Sequence, residues 1–169
     1  QLLLNPYAVL KLEEEARLSS LAPSLVLRIY ALSGRFIRNP ERFALGDFLT
    51  RALKGKSIII KSSNPVHRSY GNASDITSFA WRWLLEKNAY DSSKPIAAVS
   101  CKIDLVNMAN KITNLYGLPP VQSCVDPDAV PDLYVADSSS FLKALDSQHL
   151  SPMSFEDQLF DTAKGLLPC

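Results

Sequence analysis

Two neighbouring stretches set the fold: Pro6-Tyr7-Ala8-Val9-Leu10-Lys11-Leu12-Glu13-Glu14-Glu15-Ala16-Arg17-Leu18, and then Leu25-Val26-Leu27-Arg28-Ile29-Tyr30-Ala31. The first is rich in charge and, over 7–21, free of glycine and proline, which predicts a helix ended by Pro23. The second is a compact apolar run and predicts a buried strand. A helix that hands over to a strand within a few residues is one unit of an α/β alternation.

The alternation continues outward. Residues 34–40, with Arg35, Arg38, Asn39 and Pro40, read as a loop. Leu45, Phe48, Leu49, Ala52 and Leu53 fall at helical spacing within 41–53, and Gly55 supplies a stop. Residues 57–60 predict a short strand, and Ser62-Ser63-Asn64-Pro65 a turn. Ile76, Phe79, Ala80, Trp83 and Leu84 form the clearest helical stripe, with Ser74 as its cap, Trp83 towards the core and Trp81 on the surface or at an interface. Residues 96–99 predict a strand. Leu105, Met108, Ala109, Ile112 and Leu115 give a second stripe, closed by Gly117 and then Pro119. Residues 121–125 read as extended. Asp137 can cap a helix reaching Leu145, and Ser154-Phe155-Glu156-Asp157 resembles a capping box for a last helix bearing Leu159, Phe160 and Ala163. The fold class is α/β, in its mixed α+β form.

Composition removes several functions. The 169 residues are about one domain's worth. Lys plus Arg number 18 and Asp plus Glu 17, so a net charge of +1 argues against a nucleic-acid binder. A hydrophobic fraction of 47% argues against disorder. The six glycines are never closer than nine positions, so G-x-G-x-x-G and the P-loop pattern are both absent. Cys101, Cys124 and Cys169 read as reduced thiols, and His67 and His149 are too sparse for a sequence-local metal site. No apolar run is long enough for a membrane span, the first residues do not form a signal peptide, and a cytoplasmic location is expected. The first residue is Gln1 rather than Met, which suggests a chain that starts inside something larger.

Few residues carry chemistry. Tyr7 and Lys11 form a Y-x-x-x-K, which a helix places on one face, one turn apart. An unperturbed tyrosine titrates near about 10, and a neighbouring ammonium favours the phenolate, so such a pair can exchange protons near neutrality. With six Tyr and ten Lys, about a third of one match is expected by chance at average composition. A second match, Tyr90 to Lys94, sits in a turn-like stretch and is set aside as a decoy. The competing reading of Tyr7 and Lys11 is a solvated helix face, with Lys11 among Glu13, Glu14 and Glu15. Arg28, inside an apolar run, is either a strand-end ion pair or an anion ligand. Arg68 either forks onto a phosphate or carboxylate, or pairs with Asp75 or a helix end.

The order of these features resembles the extended short-chain dehydrogenase/reductases. It runs Y-x-x-x-K helix, apolar strand with Arg28, loop, F-x-x-x-A-L-x-G over 48–55, Ile-rich strand, Arg68-Ser69-Tyr70, Asp75 and helix. The residues 131–139, with Asp137, Ser138 and Ser139, and 150–159 loosely resemble that family's D-x-S/T-K and S-L-E-x-G-L endings. The likeness covers nearly the whole chain and matches the carboxy-terminal half of a nucleotide-sugar epimerase or dehydratase. It implies a catalytic helix plus a substrate-binding domain, without the glycine-rich Rossmann half. It implies that Tyr7 is the acid/base, and that Lys11 bonds the nicotinamide ribose. Tyr30 and Ala31 would lie by the cofactor, and Phe43, Ser57, Ile58, Arg68 and Asp75 by the sugar nucleotide.

The resemblance further implies NAD or NADP in the complete protein but not retained by this chain, a nucleotide-sugar substrate, a missing Rossmann half and a homodimer. Composition and spacing lead to no metal, no nucleic acid and no membrane being expected. Without the other half, the Tyr7 helix and the run 25–31 are expected to show apolar surface. The sequence departs from the family at Ala31, where relatives carry Asn, in the turn 62–66, at 97–100, and at 146–148, where Gly-Trp is usual. Two alternatives therefore stand beside an epimerase or dehydratase fragment: a non-catalytic binding module on the same fold, and a reductase of a non-sugar carbonyl.

Overall fold

A computed structural model describes residues 5–21, 24–86 and 94–167. Pro23, Tyr90 and Cys169 lie outside them. Helix α1 (Pro6–Leu21) is capped by Asn5, whose Oδ1 accepts from the Tyr7 amide at 3.1 Å. The apolar run that follows is not one buried strand. It splits into β1 (Leu27–Arg28) and β2 (Ala31–Ser33), which pair with different partners, while Ile29 between them is 48% exposed. The reason is pairing: among the described residues β1 is hydrogen-bonded only to β5 (Ile96–Ala97) and β2 only to β4 (Val66–Asn72).

The expected helix over 41–53 divides into a 3-10 turn, Pro40–Arg42, and α2 (Ala44–Leu53). The break sits next to Gly46, where a Cβ would lie 2.1 Å from the Pro40 carbonyl oxygen, so only glycine lets the turn fold back on α2. β3 (Ile59–Ile60) pairs in parallel with β7 (Gln122–Ser123). The largest sheet centres on β4. β6 (Cys101–Asp104) runs antiparallel along one edge of β4, and β2 and β8 (Asp132–Tyr134) run parallel to it.

The helices end as the local chemistry requires. α3 (Ala73–Leu85) is capped by the Asn72 side chain, which accepts from the Ser74 amide, so the cap stands two residues before the serine expected to provide it. α4 (Leu105–Tyr116) is capped by Asp104 and closed by Gly117 in the left-handed conformation, φ 61°. α5 (Ser139–Ser147) follows Ser138 rather than Asp137, whose carboxylate instead accepts from the Ser139 hydroxyl. α6 (Phe155–Lys164) opens on Ser154, which accepts from the Asp157 amide and donates to its carboxylate.

Two apolar clusters result. Leu45, Phe48, Leu49 and Ala52 of α2 meet Met108, Ala109 and Ile112 of α4, Leu159 and Ala163 of α6, and Ile58, Ile60 and Tyr70. Ile76 and Phe79 of α3 meet Ile96 and Ala98 beside Phe141, Ala144 and Leu145 of α5. Trp83 is half-buried and Trp81 exposed. No described helix is long and apolar enough to cross a membrane. Among the described residues no group of His, Cys, Asp or Glu could hold a metal ion.

Candidate functional site

Helix α1 carries Tyr7 and Lys11 on one face, with the Lys11 Nζ 5.8 Å from the Tyr7 ring centroid. Tyr7 is 68% exposed. Lys11 donates to Glu14 at 2.7 Å, and that hydrogen bond and charge raise its pKa above the ordinary lysine value. The pair is thus positioned together but open to solvent, beside exposed Val9, Leu10, Leu12 and Leu18. The expected apolar surface on this helix and on Ile29 is present.

The helix is tied to the sheet by Arg28. Its Nε and Nη2 reach the two carboxylate oxygens of Glu15 at 2.8 and 2.6 Å, a bidentate pair. The Arg28 hydrogen bond holds the Glu15 pKa below its ordinary value. Of the two readings of Arg28, the structure shows the ion pair.

From Arg28 a line of side chains runs towards β8. The Tyr30 ring lies near enough to Arg28 to bear on its charge, and stacks at 4.8 Å on Tyr134, tilted by 41°. The β4–β8 register sets Tyr134 opposite Arg68. Arg68 bonds the Asp132 carboxylate at 2.6 Å, and its other terminal nitrogen donates to the carbonyls of His67 and Asp132. The Asp132 pKa is lowered by that bond from Arg68. Tyr70, next but one to Arg68 on β4, is buried and its pKa is pushed up to about 12 by desolvation, so it stays a neutral phenol. The arrangement offers a guanidinium, a pair of stacked phenols and a carboxylate that an anionic ligand would displace.

The remaining assigned residues are dispersed. Ala31 stands beside Tyr70 in the β2–β4 register. Ile58 is fully buried in the first cluster, Ser57 is half-buried, and Phe43 is exposed at the start of α2. Asp75 accepts from the Met153 amide at 2.9 Å, and burial raises its pKa. Cys101 and Cys124 are free thiols, and burial pushes Cys101 up to about 11, too high for a ready nucleophile. Asp132 and Tyr134 were not marked by the sequence as site residues. The signal was there in the segment 131–139, but only strand register reveals that it reaches Arg68.

The loop after β2 is fixed from below by a buried polar network. The Ser33 hydroxyl donates to Gln158 Oε1 at 2.8 Å, the Gly34 amide to Thr162 Oγ1 at 2.8 Å, and Arg35 to Asp161 at 2.8 Å. Burial of Asp161 would raise its pKa, yet hydrogen bonds from Asn72 and Arg35 and the Arg35 charge bring it below the ordinary value.

No family model matches the sequence, and no curated protein matches it. Solved structures do. The chain is similar to UDP-glucuronic acid 4-epimerase from Bacillus cereus, solved with UDP-glucuronic acid and NAD, at 19% identity and a TM-score of 0.68, covering 96% of this chain and 52% of that one. It is similar to dTDP-glucose 4,6-dehydratase from Bacillus anthracis, solved with NAD, at 16% identity and a TM-score of 0.67, covering 95% and 51%. An epimerase from Methanothermobacter thermautotrophicus matches at 21% identity and a TM-score of 0.64, over 95% and 49%. The chain spans about half the length of these enzymes, and its fold is that of about half of an extended short-chain dehydrogenase/reductase.

Proposed function

We propose that this chain is the carboxy-terminal, substrate-binding part of an NAD(P)-dependent nucleotide-sugar epimerase or dehydratase. The observation that carries the reading is the fold likeness over 95–96% of the chain to half of such enzymes. In this reading Tyr7 takes or returns the sugar hydroxyl proton, while Lys11 exchanges Glu14 for the nicotinamide ribose. Arg68 exchanges Asp132 for the substrate diphosphate, with Tyr30 and Tyr134 beside it. Ala31, Phe43, Ser57, Ile58 and Asp75 complete the surroundings.

The residues present fit only the nicotinamide end of a dinucleotide. A phenol and an ammonium share an exposed face, whereas no glycine-rich turn among the 169 residues could cradle a pyrophosphate. The dinucleotide, when bound, supplies the hydride acceptor. A further length of chain would supply its phosphate loop and cover the apolar side of α1, or a second copy would cover that side.

A binding module without chemistry is the second reading, favoured by the engagement of Lys11 with Glu14 and of Arg68 with Asp132. The test uses the protein joined to its dinucleotide-binding half, with NAD and a panel of UDP- and dTDP-sugars. Conversion that is abolished in Tyr7→Phe, with UDP binding retained, supports the enzyme. Binding without conversion supports the module, and absence of both refutes the proposal.

A further inference from the structure

A cleft of about 540 Å³ opens where β6 meets the outer face of α4. That volume lies in the range of small-molecule sites. Its walls are unlike an ordinary apolar pocket. Asn107, Asn110, Lys111 and Asn114 follow the i, i+3, i+4, i+7 positions of one helical face, and His67 and Lys102 stand across from them. Ile103 is the apolar member of the lining.

The lining of this cleft does not include Arg68. In the antiparallel β4–β6 pair His67 faces Asp104 and Ser69 faces Lys102, so His67 and Lys102 share one side of the sheet. Arg68 stands at the alternate position opposite Ile103, and of that pair only Ile103 reaches the lining. The cleft therefore does not depend on the epimerase or dehydratase reading.

Its charges are unequally occupied. Asp104 is the cap of α4 and accepts from both the backbone and the side-chain nitrogens of Asn107, so its carboxylate is spent on the helix end. Lys111 is bound by Glu156 at 2.5 Å. Lys102 has no carboxylate within ion-pair distance among the described residues, and Asn110 and Asn114 present amides that bond no other described side chain. The surplus is thus one ammonium, one imidazole and the amides of Asn110 and Asn114, each amide carrying two N–H donors and one carbonyl acceptor.

We propose that this cleft is a second ligand site, for a phosphorylated sugar. Lys102 meets the phosphate, as a point-charge donor does. The Asn row, able to donate and accept along its length, meets the hydroxyls.

The test is titration of the isotopically labelled protein with glucose 1-phosphate, followed through the side-chain amide signals of Asn107, Asn110 and Asn114. Saturable shifts in the millimolar range are expected, with inorganic phosphate several-fold weaker and glucose without effect. Lys102→Met and Asn110→Ala, both at exposed positions, should each weaken binding about tenfold with an unchanged backbone spectrum, and Arg68→Ala should leave it unaltered. Any of three results overturns the proposal: no saturation, equal affinity for inorganic phosphate and glucose 1-phosphate, or affinity indifferent to Lys102→Met. UDP, run in parallel, reports on Arg68, so failure of one site is read separately from failure of the other.

Discussion

Gln158→Leu is the sharpest probe of what holds the β2 loop in place. Gln158 is fully buried on α6, accepts from Ser33, and donates to Ser100 Oγ at 3.0 Å and to the Met153 carbonyl at 3.1 Å. Leucine is close in volume, so the change removes three hydrogen bonds with little cavity. At about 1 kcal/mol each the loss is about 3 kcal/mol. Ser33 softens it slightly, because its hydroxyl also lies 3.5 Å from the Gly71 carbonyl and can turn there. With a urea slope of about 2 kcal/mol/M, the unfolding midpoint should fall by about 1.5 M at unchanged slope. Ser33→Ala added to Gln158→Leu removes a hydroxyl left with only long contacts to Gly71 and Asn72, and should restore up to about 1 kcal/mol. A single-variant midpoint within about 0.3 M of the parent, or a double variant less stable than the single by the full cost of Ser33→Ala alone, would refute the claim that this network anchors the loop.

Gly46→Ala gains about 1 kcal/mol of helix propensity but drives a Cβ to 2.1 Å from the backbone oxygen of Pro40, so a net loss of about 1–3 kcal/mol is expected in chemical denaturation. Asp75 has a raised pKa, so its folded form holds a proton more tightly than its unfolded form. Its favourable contribution is complete below the ordinary carboxyl value and disappears as pH rises through the raised one. Asp75→Asn, which can still accept from Met153, should therefore be more stable than the parent at neutral pH, and that advantage should vanish in acid, as thermal melts across pH would record. Asp161, with a lowered pKa, behaves oppositely, and its contribution is lost only as pH falls below the ordinary carboxyl range. Glu15→Gln should leave the core intact yet speed amide exchange and proteolysis in α1; equal protection would show that the Arg28 pair does not hold this helix.

What was legible in the sequence was local. The apolar stripes of α2, α4 and α6 supply Leu45, Phe48, Leu49, Met108, Ile112 and Leu159 to one cluster, because a helix carries its own period. Gly117 and Ser154 close and open their helices as read, because capping involves neighbours in sequence. β4 was not legible as a strand. Val66-His67-Arg68-Ser69-Tyr70-Gly71-Asn72 has no clean alternation, and it is extended because β2, β6 and β8 all pair with it from distant parts of the chain. The same non-locality split the run 25–31. Its apolar composition promised burial, but each short strand has one partner among the described residues, and Arg28 turns outward to Glu15.

Non-locality also explains why two arginines that looked alike in sequence differ in what they can do. Arg28 holds Glu15 in a bidentate fork, and the Glu15 side chain is only 19% exposed, so a ligand that took Arg28 would leave an enclosed carboxylate without its partner. Arg68 holds Asp132 through one nitrogen, and that aspartate side chain is 57% exposed. Released, Asp132 returns to water at little cost, since an exposed ion pair contributes little to begin with. Arg68 itself stays oriented while the exchange occurs, because its other terminal nitrogen donates to two backbone carbonyls that the ligand need not disturb. An arginine so held, with one nitrogen fixed and one facing an easily displaced carboxylate, is suited to take an incoming phosphate, and the stacked Tyr30 and Tyr134 beside it give that ligand an aromatic edge to rest against.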